Sequence, residues 1–379
     1  MTEYEEVQVA GLLVRFVPAP GAHTVGACLR VSAGSAADPP RPWGTAHLTE
    51  HLRIAAALDD GSRLHLTGRT DNAETRFTVA ALPEQEDEVV RTLARLLGDG
   101  RPLDDSVLAA ERQAVLLEMR AAAANPLLLL GPAVAEATVP GGRMADTTRA
   151  DQASVGGITL DDVEGFTAEH YRPENALLAV AAPPAHRKRL LDTVSAALKP
   201  SETPVASGDG EADRPPITLP STVDGLSVLT LTVALDDHVG RSAVRALAFA
   251  EGPIGTRTAR AGHPTAGMTT VTDGKHEVTV LCWRDEKPDG GLRDALATAF
   301  AAIRRADPDV VESWHYAAVR EFQELAFARV SPLGLAQAAL LPPPPSPGAH
   351  TMAGELRRAI GTARSWRVRA GTPHAEEMP

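Results

Sequence analysis

His47-Leu48-Thr49-Glu50-His51 places two imidazoles and a carboxylate within one short stretch. On an α-helix, residues four apart share a face, so His47 and His51 can reach one metal ion. Glu50 stands one position before His51. It can touch a water on that metal without ligating it. This arrangement suits metal-assisted hydrolysis, with the carboxylate as general base. The pattern H-x-x-E-H is the inverted form of the zinc-protease helix motif.

A catalytic zinc takes three protein ligands and a water. The third candidate lies in the acidic-headed helical segment Asp104–Met119, where Glu111 and Glu118 are two turns apart on one face. Glu118 is the expected ligand, and Glu111 the carboxylate that orients a histidine from behind. Alone, Glu118 reads as a solvated helix carboxylate. Its neighbours Leu116, Leu117 and Met119 argue for partial burial.

These residues need a scaffold. Gly44-Thr45 opens a helical stretch, with Thr45 as candidate N-cap and an Ala- and Leu-rich run to Leu58. Before it, Val7–Val17 and Thr24–Ser32 read as strands. Glu74–Leu82 alternates like a strand, and Pro83 starts a helix to Leu97. Leu127–Ala137 and Leu160–His170 read as helices, Ala176–Ala182 as an apolar strand, and Pro184–Leu198 as a helix. Residues 199–216 carry the Pro, Ser, Gly, Asp and Glu of a linker.

The pattern then restarts. Gly225–Leu235 is strand-like and Val239–Glu251 helical. Strands around Thr269 and over His276–Trp283 are joined by Thr272-Asp273-Gly274-Lys275, a hairpin signal. Helices follow over Leu292–Arg305 and Val310–Arg329. The expected fold is α+β. It has two homologous domains, each an antiparallel sheet with helices packed on it. The expected division is 1–198 for the zinc-binding half, 199–216 for the linker and 217–379 for a degenerate mate. The helix of the second half that matches the motif helix has no histidine pair. Pro342–Gly348 reads as a polyproline spacer before a C-terminal piece, Met352–Arg369.

The chain has 379 residues and a formal net charge of −12, which argues against nucleic-acid binding. Cys28 and Cys282 lie far apart in apolar runs and read as buried free thiols. No run of residues is long and apolar enough to span a membrane. The first residues are acidic and lack the apolar core of a secretory signal, so the expected location is cytoplasmic.

Several of these residues together resemble the pitrilysin/insulinase family of zinc peptidases, especially its processing-peptidase branch of small subunits. Gly44–His51 resembles the family's Gly-x-Ala-His-Phe-x-Glu-His. Gly34-Ser35 with Asp38 resembles its lead-in, with Asp in place of the usual Glu. Asn72-Ala73-Glu74-Thr75 resembles the Asn-Ala-x-Thr that precedes the substrate-pairing edge strand. Glu111 and Glu118 have the family's separation, which implies that Glu118 is the third ligand. Tyr171-Arg172-Pro173-Glu174-Asn175 resembles its Tyr-x-Pro-x-Asn.

The resemblance implies one Zn2+ per chain, held by His47, His51 and Glu118. It also implies an extended peptide substrate bound as an added strand near Asn72, Ala73, Glu74 and Thr75, and Glu50 as general base. Active members draw an Arg and a Tyr from the second homologous half. The corresponding region here, Gly255–Gly267, has arginines and no tyrosine. A homologous partner subunit is therefore expected to supply that pair in a heterodimer, with leader-peptide removal as the expected kind of task. The alternatives are a non-catalytic scaffold or peptide-binding subunit, and a self-sufficient homodimer using Arg257 or Arg260. Leu52-Arg53-Ile54-Ala55 also departs from the family pattern, which points to an altered substrate fit. His65, His263 and His315 show no ligand spacing. Trp314, Tyr316 and Phe322 read as core or interface.

Overall fold

Ala10 and Gly11 both take positive φ, 48° and 88°, and turn the first apolar run back on itself. The result is a hairpin of β1 (Glu5–Val9) and β2 (Leu12–Pro18), not the single strand expected over Val7–Val17. Two successive positive-φ residues make the tight turn that matches the twist of a hairpin.

The structure is a computed structural model that describes residues 4–40, 42–58, 62–98, 102–123, 125–139, 141–198, 219, 223–284, 291–312, 331–340, 358, 360–368 and 373–376. These residues fall into two units. The first takes those within Met1–Met119, Arg149–Arg214 and Ala326–Pro343. The second takes those within Arg120–Thr148, Pro215–Leu325 and Pro344–Pro379.

The first unit is built on a six-stranded sheet in the order β1-β2-β6-β3-β5-β4. Its further strands are β3 (Val25–Val31), β4 (Leu66–Thr70), β5 (Thr75–Ala81) and β6 (Ala176–Ala182). Neighbours are antiparallel except β2 and β6, which run parallel, so the expected antiparallel sheet is in fact mixed. Among the described residues the α-helices of this unit include α1 (Thr45–Ala57), α2 (Glu86–Leu96), α3 (Asp105–Ala123, in this unit as far as Met119), α5 (Gln152–Gly157), α6 (Leu160–His170) and α7 (Arg187–Ala197).

Leu178, Val180 and Ala182 of β6 join the core formed with α2, α6 and α7. Leu177, Ala179 and Ala181 pack instead against Ala336, Ala339 and Leu340, in and just after α11 (Pro332–Ala339). A strand covered on both faces must be apolar throughout, which is why β6 does not alternate.

The second unit has a five-stranded antiparallel sheet, β11-β10-β7-β9-β8. Its strands are β7 (Leu226–Ala234), β8 (Gly267–Thr272), β9 (His276–Arg284), β10 (Arg364–Val368) and β11 (Pro373–Glu376). Helices α8 (His238–Ala248), α9 (Pro253–Arg260) and α10 (Gly291–Arg305) form a core on Leu229, Leu231, Leu281 and Trp283. Leu130 and Val134 of α4 (Pro126–Thr138) share a second core with Val228, Val278 and Val280.

The α+β class is as expected. The described residues group differently from a division into 1–198 and 217–379: those within 120–148 fall with the second unit and 331–340 with the first. The physical reason is that α4 and α11 bury sheet faces that would otherwise be bare. The linker over 199–216, the polyproline run, His315, Trp314, Tyr316, Phe322 and most of Val310–Arg329 lie outside the described residues. So do parts of Met352–Arg369.

Both cysteines are buried. Burial pushes the Cys28 thiol up to about 12 and the Cys282 thiol to about 11. Among the described residues, no single helix is long and apolar enough to cross a membrane.

Candidate metal centre

The start of α1 is fixed by a side chain several residues upstream. Asp38 Oδ2 accepts from the Gly44 N–H at 2.7 Å, and Oδ1 from the Ala46 N–H at 2.6 Å. A carboxylate there satisfies orphan amides and opposes the positive end of the helix dipole. Thr45 is not the N-cap. Its hydroxyl donates to the Pro42 carbonyl at 2.8 Å, and Gly44 occupies the cap position with φ 96°.

Leu48 and Leu52 of α1 pack with Leu108 and Val115 of α3 and with Val155, Ile158 and Val163. This packing sets the histidine face of α1 beside the glutamate face of α3. His47 Nε2 lies 3.3 Å from Glu118 Oε2, and His51 Nε2 lies 3.6 Å from the same oxygen. One donor atom from each of the three residues falls within 4.8 Å of the others. Ligands of a tetrahedral zinc, with bonds near 2.1 Å, stand roughly 3.4 Å apart. The donor set therefore fits one small metal ion.

The partial burial expected for Glu118 is not observed. Its side chain is 57% exposed, and Leu117 beside it is 56% exposed. Leu116 and Met119 take the packing positions instead.

Glu111 Oε2 is 3.2 Å from His51 Nδ1. A carboxylate behind one ring nitrogen keeps the proton there and leaves the other nitrogen's lone pair for a metal. Burial, and then the neighbouring His51, lower the His47 pKa, while Glu118 opposes that shift. A lowered pKa favours the neutral ring, the form that ligates.

Glu50 is only 4% exposed. Burial raises its carboxyl pKa. A hydrogen bond from Thr70 and the nearness of His51 work against that, and Glu118 and Asp71 add to it. Thr70 Oγ1 donates to Glu50 Oε2 at 2.7 Å. A Cβ built on Gly68 would stand 2.2 Å from Glu50 Oε1, so only glycine leaves room for the carboxylate. Neither Thr70 nor Gly68 stands out in the sequence. Only their place just ahead of the Asn72 turn points to them.

The residues Asn72, Ala73, Glu74 and Thr75 lie at the end of the β4–β5 hairpin. The strand that follows them, β5, is internal. The edge strand is β4, which precedes them. Asn72 is 3% exposed and Thr75 0%. The Asn72 carbonyl accepts from the Ala36 N–H at 2.8 Å, and the Thr75 hydroxyl donates to the Ala33 carbonyl at 2.8 Å. Glu74 pairs with Arg76 at 2.9 Å. Asn72 and Thr75 thus hold the turn, and the edge strand beside this quartet is the one before it, not the one after it.

Arg53 also has an internal task. It is buried and donates to the carbonyls of Leu96 at 2.9 Å and Gly98 at 2.7 Å, capping the end of α2. Within Leu52–Ala55, Arg53 therefore serves the packing of α1 against the end of α2. Tyr171 is buried against Phe77 and Phe166, and Asn175 Nδ2 donates to the His170 carbonyl at 2.9 Å. The Tyr-x-Pro-x-Asn stretch thus ties α6 to β6. In the second unit, both Nη2 contacts of Arg257 with the Asp309 carboxylate are 2.7 Å, and Arg260 stands 3.8 Å from the same carboxylate. His65 is exposed, and among the described residues neither it nor His263 joins a metal-binding group.

Residues 14–152 match the family model described as Insulinase (Peptidase family M16). The chain is similar to a protease from Helicobacter pylori at 13% identity and TM-score 0.64, covering 96% of this chain and 99% of that one. It is similar to a peptidase M16 inactive domain from Pseudomonas fluorescens at 16% identity and TM-score 0.60, covering 96% and 97%. With pitrilysin the identity is 14% and the TM-score 0.63. All of this chain is covered but only 47% of pitrilysin, so the chain spans about half its length. No curated protein matches the chain. Fold and motif together define an M16-type peptidase fold with a candidate His/Glu metal centre. The sequence match to the insulinase family lies within residues 14–152, and the fold of the whole chain is shared with pitrilysin.

Proposed function

We propose that this chain is the metal-bearing subunit of a zinc-dependent endopeptidase. The observation that carries the reading is the convergence of His47, His51 and Glu118, with Glu111 behind His51 and Glu50 beside it. His47, His51 and Glu118 would hold one zinc ion. When bound, zinc supplies Lewis-acid activation of a water and of the scissile carbonyl. Glu111 holds the proton on His51 Nδ1. Glu50 takes a proton from the attacking water on a carboxylate oxygen and delivers it to the leaving amine nitrogen.

The substrate is an extended peptide. Among the described residues, β4 has no strand on its outer side, and it runs past Glu50. A peptide added there as a strand would gain main-chain hydrogen bonds without needing a particular sequence. Limited processing, such as leader removal, is the task we assign.

The partner is a homologous subunit that donates the Arg/Tyr pair. Residues 255–267 contain no tyrosine, and Arg257 is already committed to Asp309. That commitment counts against a homodimer relying on Arg257. The missing tyrosine also favours a second reading, a peptide-binding subunit without turnover. Relatives with the same fold include one described as an inactive domain.

Cleavage of fluorescein-labelled casein, with and without a homologous subunit, tests the reading. The wild-type chain should cleave when paired with the homologous subunit and not alone, and Glu50→Gln in that pairing should keep zinc and lose cleavage by about 10³-fold or more. Retained turnover in Glu50→Gln removes Glu50 as the base. No cleavage under any pairing leaves the peptide-binding reading.

A further inference from the structure

The free edge of β4 and the carboxylate of Glu50 meet at the same two residues. At the tip of the hairpin the Asp71 N–H bonds the Glu74 carbonyl at 2.9 Å. From there the register runs Thr70↔Thr75, Arg69↔Arg76, Gly68↔Phe77. Hydrogen-bonded and non-hydrogen-bonded pairs alternate along an antiparallel ladder. Asp71 and Glu74 form a bonded pair, so Thr70 and Gly68 fall in non-bonded ones. Their amide and carbonyl groups point away from β5, toward the open edge.

The side-chain positions of the same residues face α1. Thr70 Oγ1 donates to Glu50 Oε2 at 2.7 Å, and the missing Cβ of Gly68 leaves the space that Glu50 Oε1 fills. The other neighbour of the Thr70 hydroxyl, Thr75 Oγ1, is 3.5 Å away. The short bond therefore goes to the carboxylate, the stronger acceptor.

We propose that Thr70 is a positioning residue for Glu50, and that Gly68 and Thr70 couple the seating of a peptide on β4 to the aim of that carboxylate. The inference rests on the reading of Glu50 as general base. A peptide strand paired to the backbone of Thr70 and Gly68 fixes the dihedral angles of β4. That in turn fixes the Cα–Cβ direction of Thr70 and narrows the rotamers open to its hydroxyl. The hydroxyl already meets the carboxylate with the edge unpaired, and a paired strand narrows the backbone motion that would carry it away. Substrate binding and base orientation thus share one five-residue strand.

The test compares Thr70→Val, which keeps shape and removes the donor, with Thr70→Ser, which keeps the donor. Crystal structures of the two variants read the position of Glu50 whether or not turnover is present. Zinc content by mass spectrometry checks that the ligands are intact. In Thr70→Val the carboxylate should leave its place, and zinc should stay at the wild-type level. With casein, kcat should fall about 10-fold, the scale of one hydrogen bond to a charged group, at little change in KM. Thr70→Ser should restore both position and kcat. Gly68→Ala should displace Glu50 by contact and likewise keep zinc.

A Thr70→Val chain whose Glu50 stays in place, or whose kcat equals wild type, overturns the inference. A wild-type chain that cleaves nothing under any pairing is the failure of the peptidase reading instead. The crystal structures still decide whether Thr70 positions Glu50.

Discussion

Glu111 Oε2 stands 3.2 Å from His51 Nδ1, on the side of the ring away from Glu118. The carboxylate and the metal-facing nitrogen therefore act on opposite ends of one imidazole. Replacing Glu111 by Gln keeps the size and removes the charge. Zinc affinity should drop about 10- to 100-fold, the usual cost of losing such a partner. Competition with a chelating dye measures it, and an unchanged affinity would show that His51 needs no orienting carboxylate.

Asp38 is the anchor for the whole motif helix. Its two oxygens accept from the amides of Gly44 and Ala46. Asp38→Ala should destabilise the fold by about 1–2 kcal/mol. It should also loosen the His47 end of the site. A lowered denaturant midpoint together with weaker zinc binding is the expected pair of results. A stable variant with wild-type affinity would mean that the first turn of α1 is held by packing alone.

Gly26 of β3 lies directly under α11. A Cβ there would approach the backbone nitrogen of Leu333 to 2.1 Å. Gly26→Ala must push α11 off the sheet, at a cost of roughly 1–3 kcal/mol. Amide exchange over residues 332–339 should speed up in the variant and remain slow in the wild type. Equal protection in both would show that the helix can shift without loss.

The Asp87 carboxyl is held below its ordinary value, chiefly by the Arg189 hydrogen bond and also by Thr193. A carboxyl lowered in the folded state stabilises the fold fully above its unfolded value, near 3.9, and loses that contribution as pH falls through the lowered folded value. The effect is small because the pair is exposed, about 0.5 kcal/mol. Asp87→Asn should therefore flatten the acid limb of the stability curve below about pH 4 and leave neutral stability slightly lower. An acid limb identical to wild type would remove the Asp87–Arg189 pair from the account.

Much of the site was legible because helix geometry turns spacing into proximity. His47, Glu50 and His51 needed only one helix, and Glu111 and Glu118 only one more. What was not legible depends on long-range pairing. Strand β4 is Leu-Thr-Gly-Arg-Thr, a short run with a glycine and an arginine, and nothing local marks it as a strand. The roles of its residues Thr70 and Gly68 became visible only beside Glu50. Thr45 looked like the N-cap because it sits at the boundary. The actual acceptor, Asp38, reaches over from beyond a turn. The exchange of α4 and α11 between units was likewise hidden, since an apolar helix does not announce which sheet it will cover.

Native mass spectrometry of the untagged, chelator-free chain reads whether His47, His51 and Glu118 hold one zinc ion. One zinc per chain is expected, lost in His51→Ala and retained in Glu50→Gln. A wild-type chain that refuses added zinc would contradict that assignment.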